Sequence, residues 1–209
     1  MADILGFMNK ISNKIKIETI MEDARKSGAT ELEIVSTKNI IIDDNLAKMC
    51  EEPRCENYGL SKSCPPHVAG PSILRKQMEK FKKAIFFKID IPSEILYSSE
   101  RQGFFQLLHE IAASIENDAV KMGFTNARAF AGGSCKNIFC YDFPECLALS
   151  KKGHGQCRNP DSARPSMSGY GINVQELIKT AGFEVDGSLF DNNPLEIKMA
   201  NIYGLVLID

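Results

Sequence analysis

The chain of 209 residues lacks long hydrophobic runs and any marked excess of one charge. No segment approaches the roughly 20 apolar residues that span a membrane, and the first residues contain no apolar stretch long enough for a secretory signal. We therefore expect a cytoplasmic protein with no membrane partner. Its net charge of −2, without any basic run, indicates that nucleic acid is not a partner either.

The motifs of several common enzyme classes are also missing. The glycines at Gly123, Gly132 and Gly133 do not form the fingerprint of a dinucleotide-binding loop. No Ser–His–acid set suggests itself, and no C-x2-C pair indicates a zinc ribbon. These patterns leave open whether the protein is an enzyme.

The chain does contain seven cysteines, in two irregular loops rich in glycine and proline. Residues 49–71, the three-cysteine loop, carry C-x4-C-x8-C, and residues 132–165, the four-cysteine loop, carry C-x4-C-x5-C-x10-C. An odd number of thiols cannot all pair within one chain, and cytoplasmic thiols stay reduced, so metal binding or catalysis is favoured over disulfides. The candidate metal ligands are Cys50, Cys55, Cys64, Cys135, Cys140, Cys146 and Cys157.

The four-cysteine loop suits a tetrahedral sulfur site, either zinc or an iron–sulfur cluster. Its wide cysteine spacing favours a [4Fe–4S] cluster, because the irons lie apart and each needs its own thiolate. Gly132, Gly133 and Ser134 precede the first of these cysteines, and their backbone N–H groups are candidates to donate to cluster sulfides. Arg158 and Arg164 are candidates to offset the negative charge of four thiolates.

The role of the three-cysteine loop stays open, because three thiols complete no tetrahedral site. The loop holds a second cluster with one iron left to a non-cysteine ligand, His67 being the nearest, or it joins the other loop around a larger shared site. A structural clasp is the remaining alternative. We favour the separate cluster, because each loop has enough length, glycine and proline to fold around a cluster of its own. His67, and His154 of the other loop, are better interpreted as surface residues or as residues that contact the metal ligands than as ligands themselves, and His109 is interpreted as structural.

Helical and strand patterns alternate along the rest of the chain, which predicts an α/β or α+β fold with one sheet covered by helices. No linker divides the chain, so we predict a single domain over residues 1–209. Ser99 with Gln102, and Asn173 with Glu176, form the sequence pattern of a helix capping box. The predicted helices cover 15–27, 72–83, 99–122 and 173–181, and the predicted strands cover 31–35 with 40–42, 84–89, 127–131 and 197–208.

The motifs of both loops resemble those of one known family. They are C-x4-C-x8-C-P-P over 50–66, G-G-S-C-x4-C over 132–140 and C-R-x-P-x-x-A-R-P-S-M over 157–167, followed by Y-G-I-N-V over 170–174. The chain resembles an uncharacterised family of predicted metal-binding proteins, a domain of unknown function common in anaerobic bacteria and archaea. The resemblance implies a metal or iron–sulfur site at the cysteines. It implies one ligand group at Cys50, Cys55 and Cys64, and a second at Cys135, Cys140, Cys146 and Cys157.

The leading hypothesis is an iron–sulfur protein with a [4Fe–4S] cluster and an electron-transfer or redox role in anaerobic metabolism, which would need a redox partner protein. The alternatives are an enzyme whose three-cysteine cluster keeps one iron open, and a zinc-binding structural or partner-binding module. Because such loops rarely fold without their metal, we expect metal removal to disorder residues 132–165 while the helix over 99–122 survives.

Overall fold

A single antiparallel sheet of four strands organises the residues described by the computed structural model, which are 2–184 and 198–209. The strand order is β1-β2-β4-β3, and the two long central strands pair over ten residues. An all-antiparallel sheet with helices packed on it is an α+β fold, so the predicted fold class is confirmed. The strands are β1 (Glu31–Ser36), β2 (Lys83–Pro92), β3 (Arg128–Ala131) and β4 (Met199–Ile208).

Seven α-helices occur within the described ranges. None of them is long and apolar enough to cross a membrane. They are α1 (Ala2–Lys26), α2 (Asp44–Lys48), α3 (Gly70–Met78), α4 (Ser93–Leu96), α5 (Arg101–Lys121), α6 (Cys135–Phe139) and α7 (Val174–Ala181).

Helices cover both faces of the sheet because successive side chains of β2 point to opposite sides. Phe87 and Ile89 face α1 and α5 in one buried cluster. Phe86, which directly precedes Phe87, faces the other cluster, which contains Leu74 of α3 and Leu177 of α7. This explains why β2 reads as a continuous apolar run rather than an alternating one. Both faces of the sheet are therefore used to hold helices.

The predicted continuation of the first strand over 40–42 is wrong. The chain leaves β1 through a 3-10 turn at Thr37–Asn39, where the Thr37 hydroxyl donates to the Phe81 carbonyl at 2.7 Å. Ile40 is buried in the core, and Ile42 makes only an isolated bridge to Ile172. The β-branched residues there serve packing rather than a strand. The last predicted strand begins at Met199, and the prediction for residue 197 falls outside the described ranges.

The two predicted capping boxes have different outcomes. At α7, Asn173 Oδ1 accepts from the Glu176 N–H at 3.1 Å, so this N-terminal cap is confirmed. At α5 the box is wrong, because no side chain caps the helix. The Gln102 amide instead donates to the Ile138 carbonyl at 2.8 Å, which ties α5 to the four-cysteine loop.

Candidate metal centre

The four-cysteine loop leaves and rejoins the sheet at the same place, the end of β3. The Ala131 N–H donates to the Pro165 carbonyl at 3.1 Å, and the Met167 N–H donates back to the Ala131 carbonyl at 3.3 Å. The Gly132 N–H donates to the Tyr203 carbonyl of β4 at 3.1 Å. The loop is therefore closed at its base by backbone bonds, and its cysteines lie beyond the sheet end.

His109, on α5, forms hydrogen bonds to both ends of the four-cysteine loop. Its side chain is 0% exposed. Its Nδ1 accepts from the Arg164 N–H at 3.1 Å, so the proton lies on Nε2, which donates to the Gly132 carbonyl at 3.1 Å. Burial lowers the pKa of His109 to about 4, helped by the nearby Arg164 charge. The imidazole is thus neutral at pH 7 and satisfies two buried backbone groups that lie 32 residues apart in sequence.

Arg164 is committed to the core rather than to the thiols. Its Nε lies 2.7 Å from Glu116 Oε2 of α5, and both side chains are largely buried. Its Nη1 donates to both the Pro160 and the Ala163 carbonyls, at 3.1 and 3.0 Å. The expectation that Arg164 offsets thiolate charge is therefore corrected, because its charge is already paired with Glu116.

Within the loop, Asn159 contacts two of the four cysteines. Its backbone N–H donates to Cys157 Sγ at 3.3 Å, and its side-chain amide donates to Cys140 Sγ at 3.4 Å. Both bonds direct a donor hydrogen at a sulfur atom. Asn159 thus brings two predicted ligands to one place, and it is a residue that the cysteine pattern alone did not single out.

Arg158, the other predicted charge-compensating residue, shapes the outer part of the loop. Its guanidinium carbon lies 4.1 Å from the centre of the Phe143 ring, and it donates to the Glu145 carbonyl at 3.0 Å. Lys136 donates to the Cys140 and Phe143 carbonyls, each at 2.8 Å. Lys136 and Arg158 therefore hold the backbone of this loop. Arg158 has no acidic partner among the described residues and lies next to Cys157 in sequence.

The three-cysteine loop is built from short turns of its own backbone. The Cys55 N–H donates to the Cys50 carbonyl at 3.0 Å, and the Gly59 N–H donates to the Pro65 carbonyl at 2.8 Å. All three of its cysteines line one cavity of about 510 Å³. Burial raises the pKa of the Cys50 thiol, and the neighbouring Cys55 and Cys64 raise it further. The three thiols of this loop therefore share one cavity.

The two loops meet at their buried cysteines. Cys64 of the first loop donates to the Ser134 hydroxyl of the second at 3.4 Å. Cys135 follows directly, with the hydroxyls of Ser63 and Ser61 beside its sulfur. Burial raises the pKa of Cys135 to about 11, while these hydroxyls act in the opposite direction and Cys64 and Cys157 raise it further. A line of thiols thus crosses from one loop to the other.

Two of the three predicted N–H donors, Gly133 and Ser134, line the cavity beside the first loop's cysteines. Gly133 has φ +83°, and a Cβ there would lie 3.0 Å from the Phe105 ring of α5, so only glycine fits without strain. Gly132 does not line the cavity, and its N–H donates to Tyr203. This corrects the expectation that Gly132 donates to a cluster.

All seven cysteines are free thiols, and their soft donors suit zinc or an iron–sulfur cluster. Over residues 2–184 and 198–209, no three His, Cys, Asp or Glu side chains stand in an arrangement that could hold a metal ion. That Cys135, Cys140, Cys146 and Cys157 bind one metal therefore stays a prediction.

The histidines of the two loops are surface residues. His67 and His154 are both exposed, and neither lines the cavity. His109, expected to be structural, is so, but its link between Gly132 and Arg164 was not foreseen. A lone histidine on a helix stripe carries no signal for which distant backbone groups it will meet.

The fold and the site together define an α+β protein in which two cysteine loops converge at one end of an antiparallel sheet. The chain belongs to the family described as "predicted metal-binding protein" (DUF2284), which it matches over residues 33–208. No curated protein and no solved structure matches the chain. Metal binding is thus the function that family membership supports.

Proposed function

We propose that this chain is an iron–sulfur protein that holds at least one [4Fe–4S] cluster on its cysteine loops and has an electron-transfer or redox role in anaerobic metabolism. The observation that carries the proposal is the meeting of two thiol-bearing loops at the contact between Cys64 and Ser134. Seven free thiols at one end of a sheet exceed what a single tetrahedral zinc needs. They suit clusters, in which each iron takes its own thiolate.

The proposed ligands form two groups. Cys135, Cys140, Cys146 and Cys157 would hold one cluster, supported by the bonds from Asn159 to two of them. Cys50, Cys55 and Cys64 would hold a second, supported by their shared cavity. When bound, such a cluster supplies reversible one-electron transfer.

The chain's own groups are placed to tune that chemistry. The N–H groups of Gly133 and Ser134 have no acceptor among the described residues, so they are available to cluster sulfides. The Asn159 bonds to Cys140 and Cys157 stabilise thiolate charge, which favours the reduced state of a cluster. Arg158 adds positive charge on the same side.

A redox partner protein would approach the outer surface of the four-cysteine loop. Tyr141, Phe143 and Leu149 are exposed there, and Cys157 itself is exposed. Electron transfer needs only a short distance between centres, and Cys157 is one of two exposed thiols, the other being Cys55 of the three-cysteine loop. This surface supports a partner but does not identify one.

An enzyme with an open cluster is the second candidate, and the cavity beside the three-cysteine loop favours it. A group of three thiolates leaves one iron without a cysteine, and open coordination positions are where metal enzymes bind substrate. The zinc-binding module remains the third candidate, and it is separated from the others by metal content alone.

Anaerobic purification followed by iron, sulfide and zinc analysis tests the proposal. We expect a brown protein with about four irons and four sulfides per cluster. A colourless protein that contains zinc and neither iron nor sulfide would contradict it and support the zinc-binding module.

Iron content in Cys55→Ser and Cys140→Ser then tests the two groups. Near-halving of iron in each variant supports two separate clusters. Unchanged iron in Cys55→Ser would leave the first loop as a structural clasp, and complete loss in both would indicate one shared site. Ala148→Ser, which adds a hydroxyl to the four-cysteine loop without removing a thiol, is the matched control and should keep full iron.

A further inference from the structure

The cavity of about 510 Å³ has two unlike walls. One wall carries Cys50, Cys55 and Cys64. The other wall comes from a different part of the chain, with Ser166 next to the three-cysteine loop and residues 173–175 at the start of α7. Its volume is within the range of roughly 300–1,000 Å³ that is usual for small-molecule sites. None of the residues of this second wall is a proposed metal ligand, so the wall is open to another ligand.

Ser166 is the first indication of a ligand on this wall. Its side chain is only 9% exposed and lines the cavity. Its backbone N–H is fixed by a bond of 3.0 Å to the Ser63 carbonyl, but its hydroxyl has no hydrogen-bond partner among the described residues. The Ser166 oxygen is open to the cavity rather than enclosed in the core, so a ligand in the cavity can bond to it.

The amino end of α7 is the second indication. Asn173 caps the helix by accepting from Glu176, and the Leu177 N–H donates to the Asn173 carbonyl. The N–H groups of Val174 and Gln175 are left with no acceptor in the described part of the chain. The helix dipole places partial positive charge at this end, so it favours an anionic or strongly polar oxygen.

The charge of the cavity lining limits which class of molecule can supply this ligand oxygen. The described lining contains no Lys, Arg, Asp or Glu side chain. A dianion such as a phosphate ester would lose its hydration without a compensating cation, whereas one carboxylate can be held by backbone N–H groups and a hydroxyl. Leu46, Met49 and Ile172 supply apolar surface for the rest of the molecule.

We infer that this cavity binds a small organic monocarboxylate. Its carboxylate lies against the amino end of α7 and the Ser166 hydroxyl, and its apolar part points toward the three-cysteine wall. This goes beyond the proposed function, since the groups that bind the carboxylate belong to the chain itself and none of them is a proposed metal ligand.

Equilibrium dialysis of [14C]benzoate against the full-length, anaerobically purified protein tests the inference. We expect saturable binding of one benzoate per chain, with weaker binding of phenyl phosphate. Gln175→Glu places a carboxylate in the first turn of α7, where it stabilises the helix but repels the ligand. We expect it to weaken benzoate binding about tenfold, the size expected of a like charge a few ångströms away. Ser166→Ala should weaken it about fivefold.

The matched control is Gln106→Glu, the same change on the exposed face of α5, and it should leave benzoate binding unchanged. Absence of saturable binding in the unmodified protein, or equal binding in Gln175→Glu, would overturn the inference. Its failure is distinguishable from failure of the proposed function. A protein without iron whose benzoate binding depends on residue 175 supports this site alone, and an iron-containing protein that ignores benzoate supports the cluster alone.

Discussion

The four-cysteine loop is anchored to the hydrophobic core, whereas the three-cysteine loop is held mainly by its own short turns. Three contacts tie the four-cysteine loop to α5. They are made by His109, by Gln102 and by the ion pair of Arg164 with Glu116. The three-cysteine loop has backbone turns, a cavity on one side, the contact of Cys64 with Ser134, and one backbone bond from Ser166 to the Ser63 carbonyl.

This difference bears on what each loop needs from a metal. Bonds to a buried helix persist as long as the core is folded, while isolated turns do not hold an irregular segment by themselves. We therefore expect the ends of the four-cysteine loop to keep their structure without metal, and the three-cysteine loop to depend on it. We therefore expect metal removal to disorder the middle of the four-cysteine loop rather than all of residues 132–165.

The largest effect should follow removal of the metal. We expect amide hydrogens in 50–67 and 141–157 to lose most of their protection after chelation, because structural metal sites contribute on the order of 10 kcal/mol to the order around them. The Arg164 amide, which donates to His109, should stay protected together with α5. Hydrogen exchange of the metal-free protein is the measurement. Loss of protection at Arg164 alongside the cysteines would show that the two loops do not differ.

His109→Phe should be the next largest change. It leaves the Gly132 carbonyl and the Arg164 N–H buried without partners, so the free energy of unfolding of the metal-free protein should fall by about 2–6 kcal/mol. The measurement is denaturant unfolding. His67→Phe makes the same substitution at an exposed position of the three-cysteine loop and should change stability by less than about 0.5 kcal/mol. Equal effects of the two variants would contradict the proposed anchoring.

The pH dependence of the free energy of unfolding should show the contribution of His109. The pKa of His109 is about 4 in the folded protein and 6.5 for a free side chain. As pH falls, the unfolded chain takes up this proton first, so the contribution of His109 is complete above pH 6.5 and is lost between pH 6.5 and 4. The loss amounts to about 3 kcal/mol.

His109→Gln keeps one donor and one acceptor but does not titrate, which makes it the matched control for this experiment. Its free energy of unfolding should fall less steeply between pH 6.5 and 4 than that of the unmodified protein. Parallel pH profiles for the two proteins would show that the imidazole does not stay neutral in the folded state.

The smallest effect should come from Arg158→Leu in the outer part of the four-cysteine loop. It removes the stacking on Phe143 and the bond to the Glu145 carbonyl, which together are worth about 1 kcal/mol at an exposed site. Thermal unfolding measures the change. Lys152→Leu removes an exposed cation from the same loop and should leave the unfolding temperature nearly unchanged. If the two variants behaved alike, Arg158 would act through its charge alone.

The regular elements were largely predictable from the sequence because their signals are local. The apolar stripe of α5 and the Asn173 cap of α7 lie within a few residues of the structure they determine. The predicted capping box at α5 was wrong because Gln102 found a better partner in the Ile138 carbonyl, 36 residues away in sequence. Local patterns cannot anticipate such a tertiary competitor.

The candidate site was predictable in composition but not in arrangement. Cysteine spacing identified both loops, yet it gave no sign that Cys64 and Ser134 would meet, or that Asn159 would donate to two thiols. Those contacts depend on how the sheet brings residues 64 and 134 together. The hydroxyl groups beside Cys135 come from Ser61 and Ser63, which no metal-binding pattern includes.

Helix α1 lies outside the residues that match the family, which begin at 33, yet it is part of the same hydrophobic core. Ile17 and Ile20 are almost fully buried against the sheet and α5. A protein trimmed to residues 33–208 would also lose the first two residues of β1. It would expose one apolar face of the sheet to water, and it would be expected to aggregate. The segment that matches the family is therefore shorter than the segment that the chain needs to fold.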